Sequence, residues 1–278
     1  MSGTLFIVAT PIGNLEDLSP RARQTLADVD LIAAEDTRHT GRLLSHFSIK
    51  TPLFALHDHN EDKVVESLIS DLADGKSIAL VSDAGTPLIS DPGYRLVSTA
   101  HSRSIRVAPI AGASAATAAL SAAGLPTDRF CFEGFLPAKQ KARKDRLAEL
   151  SRETRTIVLY ESVHRIKASM ADLVDEFGPS RKAFLGRELT KMHEQCVQAT
   201  LSELLRQLDD GTIVAKGEFV IIVTGADDEQ TSSLDVDRLL IELSDRLPGK
   251  DIAKLVARVT GESRNSLYER LLALKHDK

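Results

Sequence analysis

The sequence predicts an α/β protein built from two consecutive α/β domains and a small helical domain at the C-terminal end. Three observations carry that prediction. Short β-branched apolar runs at 4–9, 31–34, 78–81 and 105–108 alternate with longer stretches of helical period, the pattern of a parallel sheet. A second series of runs begins after Leu125 and includes two adjacent strands with no helix between them, so its sheet is expected to be mixed. An acidic, polar stretch at 226–233 then reads as a linker, and beyond it only helical period remains. The expected domains are therefore 1–120, 121–226 and 234–278.

In the first domain, the strand at 4–9 is apolar after Thr4, as suits a strand covered on both faces, and runs into Thr10-Pro11-Ile12-Gly13-Asn14. Ser19 is placed to cap a helix with Pro20 at its first position and Leu18, Ala22 and Leu26 on its buried side. The strand at 31–34 ends in Glu35-Asp36-Thr37-Arg38, a short helix is expected at 40–47, and a strand near 52–56 leads to His57-Asp58-His59-Asn60-Glu61. Apolar residues at 64, 65, 68, 69 and 72 make 61–74 an amphipathic helix, which Gly75 stops. The strand at 78–81 enters the loop 82–93, Ser-Asp-Ala-Gly-Thr-Pro-Leu-Ile-Ser-Asp-Pro-Gly. In an open α/β sheet, loops at the carboxyl ends of strands bind ligands. Gly85 lets backbone approach closely there, while Ser82, Asp83 and Thr86 supply polar groups. A helix to about Ser102, the strand at 105–108, a small-residue loop at 109–114 and a helix at 115–123 complete the domain.

In the second domain, strands are expected at 129–133, 156–160, 183–187, 196–200 and 218–224, and helices at 139–150, 166–177 and 201–208. The tail reads as helices at 234–246, 251–259 and 263–275, with a turn at Gly261 that resembles a helix-turn-helix unit, although three-helix caps share the spacing.

Composition narrows the function. The chain carries 35 Lys and Arg against 40 Asp and Glu, which disfavours a uniformly basic nucleic-acid coat and confines any RNA contact to a local patch. Aromatic residues make up 4% with no Trp, which disfavours a protein devoted to stacking on single strands. Cys131 and Cys196 fit no metal-ligand spacing and read as buried thiols of a reducing compartment. There is no basic-then-apolar leader and no apolar run of membrane-spanning length, so a cytoplasmic protein without membrane contact is expected. No Gly-x-Gly-x-x-Gly occurs, and Gly75-Lys76-Ser77 precedes a strand instead of opening a helix, so neither a dinucleotide site nor a P-loop is expected.

Taken together, the loops resemble a known family. Val8 to Leu15, Ala34-Glu35-Asp36-Thr37-Arg38, His59-Asn60-Glu61, the loop 82–93, Glu133-Gly134-Phe135-Leu136-Pro137 and Tyr160-Glu161-Ser162 resemble, in order and spacing, the tetrapyrrole methylase superfamily of S-adenosylmethionine-dependent enzymes. Within it they look like the branch that methylates the ribose 2'-hydroxyl of a decoding-site cytidine in 16S ribosomal RNA. The resemblance covers essentially the whole chain. It implies the methyl donor in the cleft between the two α/β domains, 16S ribosomal RNA as partner, either free or within the small ribosomal subunit, and a homodimer. Carried over by position, Pro11, Gly13, Asp83, Gly85, Thr86, Ile89, Ser114 and Ala115 line the donor site, and Tyr160 and Gly217 close it. The chain departs from the branch in having Ala111-Gly112-Ala113 where Pro-Gly-Pro is usual, which leaves φ less constrained there.

Methyl transfer to a hydroxyl needs alignment and a group to take the proton. Glu35 and His59 are the catalytic candidates, with Asp36 beside them; equally, Glu35 and Asp36 would serve as a helix cap or as partners of Arg38. His57 and His59 lack a third ligand nearby, so no metal is expected. Lys216 reads equally as a phosphate contact or a solvated side chain. For RNA, the run 139–146 places Lys139, Lys141, Arg143, Lys144 and Arg146 against the single anion Asp145, and suits phosphate contact just after the Gly134 motif, with Asn60 as a further contact. Two alternatives remain: a methylase of the same fold acting on a small tetrapyrrole, and a non-catalytic RNA-binding protein that reads through its helical tail.

Overall fold

The computed structural model describes residues 2–226, 236–244 and 247–276. The chain divides into two compact units, one of Met1–Ala148 with Thr156–Thr224 and one of Glu149–Arg155 with Gly225–Lys278. Both sheets lie in the first unit. Most of the expected linker at 226–233 falls outside the described residues, as do both ends of the helix expected at 234–246.

The first sheet contains β1 (Thr4–Val8), β2 (Leu31–Ala34), β3 (Leu53–Ala55), β4 (Ile78–Val81) and β5 (Arg106–Ile110), in the order β3-β2-β4-β1-β5. Every pairing is parallel. The helices between them are α1 (Pro20–Asp28), α2 (Thr37–His46), α3 (Glu61–Ala73) and α4 (Tyr94–Ser102), with α5 (Ala115–Ala122) leaving the sheet after β5. All four residues of β4 are buried, because this central strand is covered on both faces. One layer packs Leu5, Ile78 and Leu80 against Leu68 and Leu72 of α3 and Leu96 of α4; the opposite layer packs Val8, Ile32 and Val81 against Ala22 and Leu26 of α1.

In this sheet and its helices, two boundaries differ from expectation by two residues or more. β5 runs on through Pro109, paired with Ile7, and an edge strand accommodates a residue without an N–H to donate. α2 begins at Thr37 because the Asp36 carboxylate accepts from Arg38 N and His39 N, which starts the helix three residues early.

The second sheet contains β6 (Phe130–Phe135), β7 (Thr156–Ser162), β8 (Lys182–Arg187), β9 (Gln195–Thr200) and β10 (Glu218–Val223), in the order β6-β7-β10-β8-β9. Only β6 and β7 are parallel, so the sheet is mixed. Its helices are α6 (Gln140–Leu150), α7 (Ile166–Phe177) and α8 (Leu201–Asp209), the last with a full capping box from Thr200 and Glu203. The expectation of two buried thiols fails: Cys131 is half-buried and Cys196 is exposed. Cys196 lies on the edge strand β9, whose alternation puts it on the solvent side.

In the second unit, α9 (Val236–Ser244), α10 (Gly249–Thr260) and α11 (Arg264–His276) close around Leu240, Ile252, Val256, Leu267 and Leu271. Gly261 ends α10 at φ +75°, and its N–H reaches Ala257 O.

Candidate active site

A cavity of about 440 Å³ opens at the carboxyl edge of the first sheet and is walled by the second. That volume is in the range of small-molecule sites, about 300–1,000 Å³. The first sheet contributes Ile12 after β1, Glu35 after β2, Asp83 through Thr86 and Ile89 through Asp91 after β4, and Ser114 and Ala115 after β5. Four loops at one edge meet because all five strands run the same way.

The loop 82–93 holds its shape through backbone contacts. Gly85, at φ +83°, makes an isolated antiparallel bridge with Thr10. The Thr86 hydroxyl donates to Ala113 O at 3.0 Å. This bond fixes the segment that the missing prolines leave free. Leu88 and Ser90 also adopt positive φ, 71° and 69°, a costly conformation for non-glycine residues at a ligand-facing loop.

From the second sheet come Phe135, Tyr160, Glu161, Ser162, Leu189 and the 218–220 end of β10. Tyr160 joins the two sheets: its hydroxyl accepts from Ala116 N at 3.1 Å, capping α5, where Ser114 makes no side-chain cap. Burial pushes the Tyr160 phenol above its ordinary range. Glu161 is buried, paired with Arg165 at 2.8 Å and bonded by Ser169 at 2.5 Å, so it anchors β7 against α7.

Glu35 and Asp36, adjacent in sequence, separate in role. Asp36 caps α2 and pairs with Arg38 at 3.0 Å. Glu35 lines the cavity, where burial first, then repulsion from Asp83 and Asp91, raises its carboxyl. Asp91 is pushed up to about 6, chiefly by burial and also by Asp83 and Asp58, while a hydrogen bond from the Ser82 hydroxyl opposes the shift. A carboxylate so placed is suited to accept a proton near neutral pH. Asp91 escaped the sequence reading because nothing in a Ser-Asp-Pro-Gly string reveals its burial.

Of the expected donor-site residues, the structure brings Asp83, Gly85, Thr86, Ile89, Ser114, Ala115 and Tyr160 to the cavity. Pro11, Gly13 and Gly217 are not among its lining residues. Pro11 is buried beside Ile12, which does line the cavity. A Cβ on Gly13 would fall 2.3 Å from the Lys191 side chain, and one on Gly217 would fall 2.4 Å from the Glu188 carboxyl group. These two glycines instead allow close packing against 188–191 beside the cavity, where Asn14 N also donates to Thr190 Oγ1.

The remaining candidates lie outside the cavity lining. His59 is exposed and outside the cavity lining, its ring 6.1 Å from that of His57. Asn60 accepts from His57 N and donates to Ala55 O, so its amide is committed to the turn before α3. Glu61 is buried and accepts from Arg95 N and Leu96 N, capping α4, whose N-cap Gly93 has no side chain. Arg143 is also withdrawn from solvent: it is buried and paired with Asp172 at 2.7 Å, which corrects its placement as a phosphate contact. Lys144 pairs with Asp175 at 2.8 Å, and Arg146 with Glu133 at 2.6 Å. Lys139 and Lys141 are exposed and enter no ion pair among the described residues. The side chain of Lys216 is exposed and its carbonyl accepts from Arg187 Nε. Among the described residues, no group of three His, Cys, Asp or Glu side chains could hold a metal ion.

Comparison with known proteins decides the family. Residues 4–205 match the model for Tetrapyrrole (Corrin/Porphyrin) Methylases. The chain belongs to the tetrapyrrole methylase family. Residues 230–275 of this methylase match a second model, the RsmI C-terminal HTH domain. Curated relatives named Ribosomal RNA small subunit methyltransferase I resemble it along nearly the whole chain. The protein of that name from Xylella fastidiosa is 54% identical, covering 96% of this chain and 98% of its own. The one from Vibrio cholerae is 51% identical over 95% and 93%, and the one from Synechocystis 47% over 99% and 99%. Among solved structures, uroporphyrin-III C-methyltransferase from Thermus thermophilus, crystallised with S-adenosyl homocysteine, shares the fold with TM-score 0.54 at 16% identity over 80% of this chain and 97% of its own. Diphthine synthase shares it with TM-score 0.59 at 16% identity, over 80% and 90%. The chain is a methyltransferase of this family.

Proposed function

We propose that this methyltransferase uses S-adenosylmethionine to methylate the ribose 2'-hydroxyl of a decoding-site cytidine in 16S ribosomal RNA, within the small ribosomal subunit. The observation that carries this reading is the near full-length similarity to proteins named as small-subunit ribosomal RNA methyltransferases, at 47% to 54% identity. The cavity fits such a donor. Apolar Ile12, Ile89 and Leu189 suit a hydrophobic ligand body, Gly85 allows close backbone approach, and the carboxylates of Asp83 and Glu35 suit a cation. When bound, S-adenosylmethionine supplies an electrophilic methyl group on a positively charged sulfur.

The protein's own work is then alignment, water exclusion and proton removal. Gly85, Thr86, Ile89, Ser114, Ala115 and Tyr160 hold the donor, and the paired loops at 10–14 and 82–93 keep it fixed. Positioning of this kind lowers barriers by as much as about 7–11 kcal/mol. Glu35, with Asp91 beside it, takes the 2'-hydroxyl proton, an effect of about 10² to 10⁴ in rate. Lys139 and Lys141 meet RNA phosphate. A homodimer working in the cytoplasm completes the proposal on the strength of the family resemblance; among the described residues no helix is long and apolar enough to cross a membrane.

The decisive experiment is methyl transfer from labelled S-adenosylmethionine to small subunits lacking the modification, beside a tetrapyrrole acceptor, with the labelled nucleotide mapped. Label on a decoding-site cytidine ribose is expected. Label on the tetrapyrrole alone overturns the assigned substrate.

A further inference from the structure

β6 contains a device that serves neither its core nor its ladder. Its pairing with β7 passes from Phe132 opposite Val158 to Gly134 opposite Leu159, so Glu133 is an extra residue in a β-bulge. Without the bulge, Phe132 and Phe135 would face opposite sides of the sheet, because strand side chains alternate. With it, Phe135 lies opposite Tyr160, and Val158 and Tyr160 share a face of β7. Phe132 and Phe135 accordingly both meet the Tyr160 ring edge to face, with centroids at 4.9 and 5.7 Å. Phe132 packs against the core, whereas Phe135 lines the cavity and remains 54% exposed.

The bulge is also fixed from the other side of the cavity. Gly134 sits at φ +64°, and a Cβ there would fall 2.8 Å from Ser90 Oγ. Ser90 belongs to the loop that carries Asp91. Hence the loop that carries Asp91 leaves no room for a side chain at the bulge, and the bulge sets the face on which the Phe135 ring lies. The exposed cations Lys139 and Lys141 follow four and six residues later.

We propose that Phe135 is a stacking platform for a nucleobase of the RNA substrate, holding a nucleotide turned out of its stack at the mouth of the donor cavity. This rests on the RNA-methylating reading. A ribose drawn down to the donor cavity brings its own base to the cavity mouth, and proteins that bind single-stranded RNA receive unstacked bases on aromatic faces. The Phe135 face gives affinity without selecting the base, because every base has a π-face.

The test compares wild type, Phe135→Leu and Phe135→Trp in three measurements: methyl transfer to unmodified small subunits, filter binding of those subunits, and calorimetric binding of S-adenosylhomocysteine. The expectation is that Phe135→Leu weakens subunit binding and raises the subunit KM about tenfold or more, while analogue affinity stays at the wild-type value. Phe135→Trp restores both subunit parameters, which a purely structural apolar role would not require. Wild-type subunit binding in Phe135→Leu overturns the proposal, as does an equal loss of analogue affinity, which would assign the ring to the donor. If the wild type labels no RNA but binds the analogue, the substrate reading itself fails and this inference fails with it, a result distinct from the other two.

Discussion

Thr10 and Gly85 exchange two backbone hydrogen bonds, Thr10 N to Gly85 O at 2.8 Å and Gly85 N to Thr10 O at 3.0 Å. This bridge ties the loop after β1 to the loop after β4 beyond the ends of the sheet ladder, so the two loops are bonded directly to each other beside the cavity. Gly85 at φ +83° is needed for it, and Ile12 Cγ2 lies 3.3 Å from where a Cβ would stand. Gly85→Ala is therefore expected to cost about 1–3 kcal/mol of stability and to weaken S-adenosylhomocysteine binding measurably by calorimetry. Unchanged affinity would show that the bridge does not shape the donor site.

The acidic end of the cavity gives a pH signature. Asp91 titrates near 6, so methyl transfer should rise as pH increases through about 6 and level off above 7, provided its carboxylate helps remove the proton. In Asp91→Asn that step should disappear or move. Stability runs the other way. A carboxyl group raised above its unfolded value binds a proton more tightly in the folded state, so its contribution is full below about 4 and is lost as pH rises through about 6. Thermal midpoints of wild type and Asp91→Asn should thus diverge between about pH 4 and pH 6, with the variant less sensitive to pH.

The basic segment separates into two kinds of cation. Lys139→Ala with Lys141→Ala should weaken subunit binding and flatten its salt dependence, with no change in melting temperature. Asp172→Ala removes the partner of buried Arg143 and should cost about 3–5 kcal/mol of stability. Denaturant unfolding beside salt-dependent binding distinguishes the two. A salt slope unchanged in the double Lys variant would remove α6 from the RNA contact.

Glu61 offers a clean test of a structural assignment. Its carboxylate accepts two backbone N–H groups at the start of α4, at 2.9 and 3.2 Å. Glu61→Ala should destabilise the fold by about 1–2 kcal/mol, and Glu61→Gln, which keeps an acceptor, by less. An activity loss in Glu61→Gln without a stability change would move this residue from the scaffold to the chemistry.

Periodicity and punctuation in the chain were enough to determine both sheets, the helical tail and the placing of four loops at one sheet edge, since these depend on local preference and on which face is apolar. The family motifs pointed to seven residues that line the cavity, because a motif carries position along the chain, and a loop at a strand's carboxyl end places its residues at the sheet edge. Partnership was decided only by tertiary structure. Glu35 and Asp36 are neighbours in sequence, yet one faces the cavity and the other caps α2. Arg143 lies in the same basic run as Lys139, yet Asp172 on α7, 29 residues away, withdraws it from solvent. Asp91 gains its raised pKa from burial and from the carboxylates of Asp83 in its own loop and Asp58 after β3, and Phe135 gains its direction from a bulge whose glycine packs close to Ser90. Burial, charge coupling and close approach join residues far apart in sequence, and therefore arise only when the chain is folded.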